Sequence, residues 1–127
     1  MTNSATFAAA AAALTLSSAA VALAAPPQFN FYAVEFQSHD QRVPLAQAYV
    51  ARTMAPGEPM RVAVAAAKKA GARCGRPDAS GVTVCTESSQ QRPAGRGLDD
   101  VMWTVRLISA ADGTVAHATV ARTVAGM

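Results

Sequence analysis

Between residues 57 and 74, in GEPMRVAVAAAKKAGARC, apolar positions recur at intervals of three and four. Met60, Ala63, Val64, Ala67, Ala70, Gly71 and Cys74 share one stripe, while Arg61, Lys68, Lys69, Ala72 and Arg73 fall elsewhere, a period that predicts an amphipathic helix. Its ends agree. Glu58 precedes it, Pro59 suits a first turn, and Lys68, Lys69 and Arg73 lie where cations complement the helix dipole. Upstream, VPLAQAYVARTM (43–54) predicts a second helix, with Pro44 at its first position and Leu45, Ala48 and Tyr49 on one side. Ala55-Pro56-Gly57 breaks the chain between them, so the two helices form a hairpin.

After the helices the period becomes two. GVTVCT (81–86) is β-branched and bounded by turn residues, which reads as a strand, and SSQQRPAGRG (88–97) reads as a loop by composition. Residues 101–124 carry the clearest signal: Val101, Trp103, Val105 and Leu107 alternate with Thr104 and Arg106. Asp112-Gly113 then suits a two-residue turn. That turn sets Leu107 opposite Ala118, Val105 opposite Val120 and Trp103 opposite Arg122. Ahead of the helices, FNFYAVEF (29–36) gathers Phe29, Phe31, Tyr32 and Phe36 and reads as an arm or a short edge strand, its rings packing rather than stacking on a ligand. The sum is an α+β domain: a helix hairpin on one face of a three-stranded antiparallel sheet, four-stranded if the arm adds an edge.

Composition changes the picture at the amino end. Residues 1–25 hold no charged residue and no histidine, and 7–25 read as the apolar centre of a secretory signal, with cleavage expected after Ala22-Leu23-Ala24. No Lys or Arg precedes the apolar run, and an uncleaved anchor is the competing reading, because the stretch approaches the roughly 20 residues that span a bilayer. Ala25-Pro26-Pro27 follows the cut, with no cysteine to carry a lipid. The expected organisation is therefore a signal peptide (1–24), an arm or edge strand (25–42) and a single domain (43–127) without stable membrane insertion. The net charge of +3 and pI near 9.3 favour anionic surroundings such as an envelope surface, yet fall short of a nucleic-acid footprint.

An exported chain meets an oxidising compartment, where its two cysteines, Cys74 and Cys85, are most simply one disulfide. A structural zinc site needs four ligands, and only His39 and His117 accompany the thiols, at no ligand spacing. Free thiols and metal binding are the alternatives, but no cofactor or metal is expected. Cys74 ends the apolar stripe of its helix and would point at the strand that holds Cys85. Closing that loop contributes about 3 kcal/mol in the chain-entropy model.

Catalytic patterns are thin. Asp99-Asp100 are adjacent and diverge on a strand, against the converging geometry of acid–base work. His117 would lie opposite Ile108, on the face away from Trp103, and His39 suits the start of a helix. No Ser/His/Asp order and no phosphate-cradling glycine loop is present, Gly95 and Gly97 being too isolated for one. Lys68, Lys69, Arg73 and Arg76 read as a solvated, dipole-compensating helix end, with an anion-binding patch as the other reading.

APGEPMRVAVAAAKKAG followed by three strands resembles the SmpA/OmlA group of small bacterial envelope proteins, and the element order is similar to β-lactamase-inhibitor-like domains. The resemblance spans 43–124. It rests on the Pro-Gly before a helix, the Val/Ala stripe and Gly71. It implies a helix hairpin over a sheet and a protein-binding role without catalytic residues. The Cys74/Cys85 pair and the missing lipid-anchoring cysteine depart from the group.

Two readings of function follow. The first is a non-catalytic exported module that binds a protein or an anionic envelope component, not nucleic acid, through Phe29, Phe31, Tyr32, the outer sheet face, or Arg92 and Arg96 in the 88–97 loop. The second is a small thiol enzyme or redox protein pairing Cys74 or Cys85 with a histidine.

Overall fold

A computed structural model describes residues 28–91 and 99–126; the segment expected to be a signal, the expected cleavage site, Arg92 and Arg96 lie outside them. The element order is a 3₁₀ turn (Ala33–Phe36), α1 (His39–Thr53), α2 (Met60–Lys69), β1 (Arg73–Cys74), β2 (Val82–Gln91), β3 (Asp99–Ser109) and β4 (Val115–Gly126). The four strands form one antiparallel sheet in the order β1-β2-β3-β4. Both helices lie on its inner face, around Trp103, Val105, Leu107 and Cys85. This is the α+β architecture expected from the pattern, with one change. The fourth strand is Arg73–Cys74, not the aromatic arm, which turns into the 3₁₀ helix instead.

Helix α2 follows its stripe: Ala63, Ala67 and Ala70 are fully buried. Gly71 then stops it. Gly71 takes φ +98°, its N–H donates to the Lys68 carbonyl, and the Ala72 N–H donates to the Ala67 carbonyl. That is a Schellman ending, in which glycine supplies the left-handed residue and Ala72 closes apolar contact behind it. So Gly71 punctuates the helix and Cys74 lies on a strand beyond it, correcting the sequence expectation of a cysteine on the helical stripe.

Helix α1 begins at His39, five residues earlier than Pro44 suggests. Pro44 sits inside it, where it removes one ladder hydrogen bond. The buried face is Ala46, Tyr49 and Val50, leaving Leu45 and Ala48 exposed on the other side. Tyr49 ties the hairpin together by donating from its hydroxyl to the Ala66 carbonyl of α2 at 2.7 Å.

The β3–β4 register is the one read from the sequence: Leu107 faces Ala118, Val105 faces Val120, and Trp103 faces Arg122. The turn is different. Ala110 pairs with Thr114 and Gly113 takes φ +81°, so the loop has three residues, and the register shifts beside Ile108 and Ser109, where Ala116 bulges. The longer turn and the extra residue cancel. This hairpin tip is docked on the α1–α2 connection, with the Gly57 N–H donating to Val115 O and the Val115 N–H to Glu58 O, both at 2.8 Å.

Strand β2 is longer than GVTVCT. Ser88, Ser89, Gln90 and Gln91 continue the ladder against Asp99 to Met102, so pairing with β3 overrides the loop-like composition of that end.

Candidate functional site

The 3₁₀ turn, though only four residues long, carries a charged group into the core. Asn30 sets it up by accepting through Oδ1 from the Tyr32 and Ala33 N–H groups at 2.8 and 3.1 Å. One face, Val34 and Glu35, is then buried while Tyr32 and Phe36 stay exposed. The Glu35 carboxylate is 1% exposed. Arg122 reaches it from β4, Nε to Oε1 at 2.7 Å and Nη2 to Oε2 at 3.0 Å, and the Trp103 Nε1–H donates to Oε1 at 3.2 Å. Arg42 of α1 adds a looser contact, Nε to Oε2 at 3.6 Å. A carboxylate so enclosed needs this full set of partners, since burial without them costs several kcal/mol.

Glu87 extends the row. It stands across β2–β3 from Trp103, as Trp103 stands across β3–β4 from Arg122. Its Oε2 is buried without a hydrogen-bond partner among the described residues. Burial first, and the Glu35 charge second, push its carboxyl above the ordinary range. Arg122 and Glu35 form a structural bridge between the 3₁₀ turn and the sheet; neither is offered to solvent for chemistry.

The sulfur chemistry is closed as well. Cys74 and Cys85 face each other across β1–β2 and form a disulfide, with Cα atoms 3.9 Å apart. The neighbouring Gly75 N–H donates to Val84 O, which makes the cysteines a non-hydrogen-bonded pair, the arrangement that brings side chains closest. Cys85 is fully buried and belongs to the core. Neither sulfur is a nucleophile in this state, and His117 lies exposed on the outer face opposite Ile108, His39 at the start of α1. Among the described residues, no group of three or more His, Cys, Asp or Glu is placed to hold a metal.

Of the aromatic residues proposed for partner contact, the structure separates three. Phe31 has no exposed surface; it meets Trp103 at 5.6 Å and Phe29 edge-on at 5.0 Å, which makes it a core residue. Phe29 is half-buried and stacks on Tyr49 at 4.7 Å. Tyr32 remains exposed beside Phe36. The outer sheet face is open, presenting Val84, Met102, Arg106, Thr119 and Thr123. Lys68, Lys69, Arg73 and Arg76 are exposed. A groove of about 700 Å³ runs between the arm and α1, lined by Phe29, Pro44, Leu45 and Tyr49 among others. Burial of Tyr49 raises its phenol above the usual value, against a smaller opposing effect of Thr53 and Arg52.

The Glu35–Arg122 bridge is what sequence reasoning missed. The signal was an arginine on the otherwise apolar face of β4, which requires a buried counter-charge from somewhere. No family model, curated protein or solved structure matches this chain. Among the described residues, no helix is long and apolar enough to cross a membrane.

Proposed function

We propose that this protein is an exported, disulfide-stapled binding module of the bacterial envelope, working in the periplasm on a protein or an anionic envelope component. One observation carries the reading: both cysteines are committed to a single disulfide with Cys85 in the core, a bond that persists in oxidising compartments. The apolar leader and its small-x-small site support export. The helix hairpin laid over a meander supports the SmpA/OmlA-like resemblance at the level of layout, and with it a protein-binding role. Exposed Tyr32 and Phe36, the open outer sheet face and the 88–97 segment with Arg92 and Arg96 are the surfaces assigned to contact.

The test is to express the full chain in a Gram-negative host, recover it from the periplasmic fraction, and take its intact mass before and after alkylation. A mass beginning at Ala25, two hydrogens light and inert to alkylation until reduced, is expected. Co-sedimentation of that material with isolated peptidoglycan sacculi and with outer-membrane vesicles then assays the envelope partner. Retention in the cytoplasm with two reactive thiols would sink the reading.

A further inference from the structure

The two edges of the sheet are treated differently. β1 is two residues long, carries Arg73, and gives way at once to Gly75, Arg76 and Pro77, so it offers no template for another strand. β4 is twelve residues long, and its segment 117–125 contains no Lys, Pro, Asp or Glu. Its single arginine turns inward to Glu35.

Alternation along the ladders says which backbone groups face out. Gly75 N–H donates to Val84 O and Ser109 N–H to Gly81 O, so Val84 turns toward β1 and Ser109 toward β2. By alternation, Thr104 and Arg106 turn toward β4, their partners Ala121 and Thr119 turn back toward β3, and Ala118, Val120, Arg122 and Val124 direct N–H and C=O outward. Val115, ahead of them, is already satisfied by Gly57 and Glu58. No described residue pairs with the outward groups of the other four.

Side chains at this edge are self-complementary. Val124 is 48% exposed, a large apolar side chain without a place in its own core. A groove of about 410 Å³ opens between α1 and β4, lined by Val50, Ala51 and Met54 on one side and Ala118 and Val120 on the other. If two β4 strands run antiparallel about a two-fold axis at Ala121, Ala118 meets Val124 of the second copy, which seats that side chain at the groove. Val120 meets Arg122, so no like charges stand opposite. On the outer face Thr119 meets Thr123, a favourable cross-strand pair, and Ala121 meets Ala121. Every outward backbone group from 118 to 124 gains a partner.

We propose that the protein forms a two-fold dimer in which β4 pairs with β4 of a second copy, making one sheet continuous through both. A second copy is the occupant because the exposed Val124 and the groove that receives it lie on the same strand, equidistant from one axis. The contact is isologous and closes on itself, and the protected β1 edges stop growth beyond two chains. The inference goes beyond the proposed binding role and does not depend on it.

The experiment uses the exported full chain, with mass in solution followed by sedimentation velocity over a concentration series. Two double variants are made, T119K/T123K and T119E/T123E; in the proposed register each places two like-charge pairs across the interface. Both positions are exposed, and circular dichroism checks that each variant is folded. The wild type is expected at twice the chain mass, each variant weakened about tenfold or more, and an equimolar mixture restored to a dimer holding one of each. A121C supplies the register: a disulfide-linked dimer is expected at 121 and not in V84C, whose site lies on β2. A wild-type mass of one chain at every concentration overturns the proposal and leaves the edge to a strand from a different protein. So does a dimer equally tight in both variants, or one that V84C links and A121C does not.

Discussion

Arg122 grips Glu35 with two parallel hydrogen bonds across the core, joining residues 87 positions apart in sequence. The pair is enclosed, so what each partner loses on its own is the solvation it gave up on folding. Arg122→Met therefore leaves a buried carboxylate facing only Trp103 and the more distant Arg42, and is expected to lower stability by about 3–5 kcal/mol. The double variant Glu35→Gln with Arg122→Met keeps an acceptor for the Trp103 Nε1–H and should recover most of the loss. Urea unfolding of the single and double variants measures both; a single-variant loss below about 1 kcal/mol, the range of an exposed pair, would mean the bridge is solvated.

Glu87 makes the stability of the protein respond to pH in the opposite sense to most carboxylates. Its folded-state carboxyl is raised above the ordinary 4.5, first by burial and then by the Glu35 charge. The folded protein thus holds this proton more tightly than the unfolded chain, and its contribution is full below pH 4.5 and lost as pH rises through the folded value. Glu87→Gln removes that loss. Its melting temperature is expected to exceed that of the wild type at pH 7 by more than at pH 4, and an equal gap at both would show that Glu87 titrates normally.

Asp78 and Asp112 work the other way. Asp78 accepts from the Val82 and Ser80 backbone N–H groups and the Ser80 hydroxyl, and Asp112 from the Thr114 hydroxyl and N–H. These bonds lower both carboxyls below the ordinary 3.8, so what they contribute is present above that value and lost as the solution is acidified through the folded ones. Asp78→Ala should flatten the acid limb of the melting curve, a change read by calorimetry below pH 4.

Replacing Cys74 and Cys85 together by alanine is expected to lower stability by about 3 kcal/mol, the closure entropy of their short loop. Cys85→Ser alone should cost more than Cys85→Ala, because it places a hydroxyl in a fully buried apolar position. Denaturant midpoints under non-reducing conditions rank the three; equal midpoints for the serine and alanine variants would place that sulfur in contact with water.

Gly71→Ala combines two penalties. The residue has φ +98°, where a side chain costs about 1–2 kcal/mol, and a Cβ there would stand 3.3 Å from Asn30 Nδ2. Unfolding experiments should show the full backbone cost in Gly71→Ala, and Asn30→Ala, which also removes the acceptor of the Tyr32 and Ala33 N–H groups, should cost less when added to it than in the wild type, because it relieves the contact. Strict additivity of the two would separate the sites.

Local chemistry explains how much of this was legible. The α2 stripe from Met60 to Ala70, the β3 alternation and the position of His117 opposite Ile108 depend on near neighbours and match the structure. Cys74 was misplaced because Gly71 fits the three-and-four spacing as well as it fits a helix stop, and only its positive φ distinguishes the two. The β3–β4 register came out right although the turn did not, since Ala116 absorbs the residue that the longer loop adds. Glu35 escaped because its partners come from β3 and β4, and no periodicity within FNFYAVEF marks a position that becomes meaningful only when a distant strand arrives.

The docking of Val115 against Gly57 and Glu58, together with the reach of Arg122 to Glu35, dictates an order of events at birth. A polypeptide delivered amino end first has its helices and its interior anion in hand long before the strand that neutralises and clamps them. Until residue 122 is free, the carboxylate keeps its water and the core cannot close over it. The final strand thus acts as a latch on the whole domain, closing the core only when Arg122 reaches Glu35 and Val115 reaches the loop between the helices.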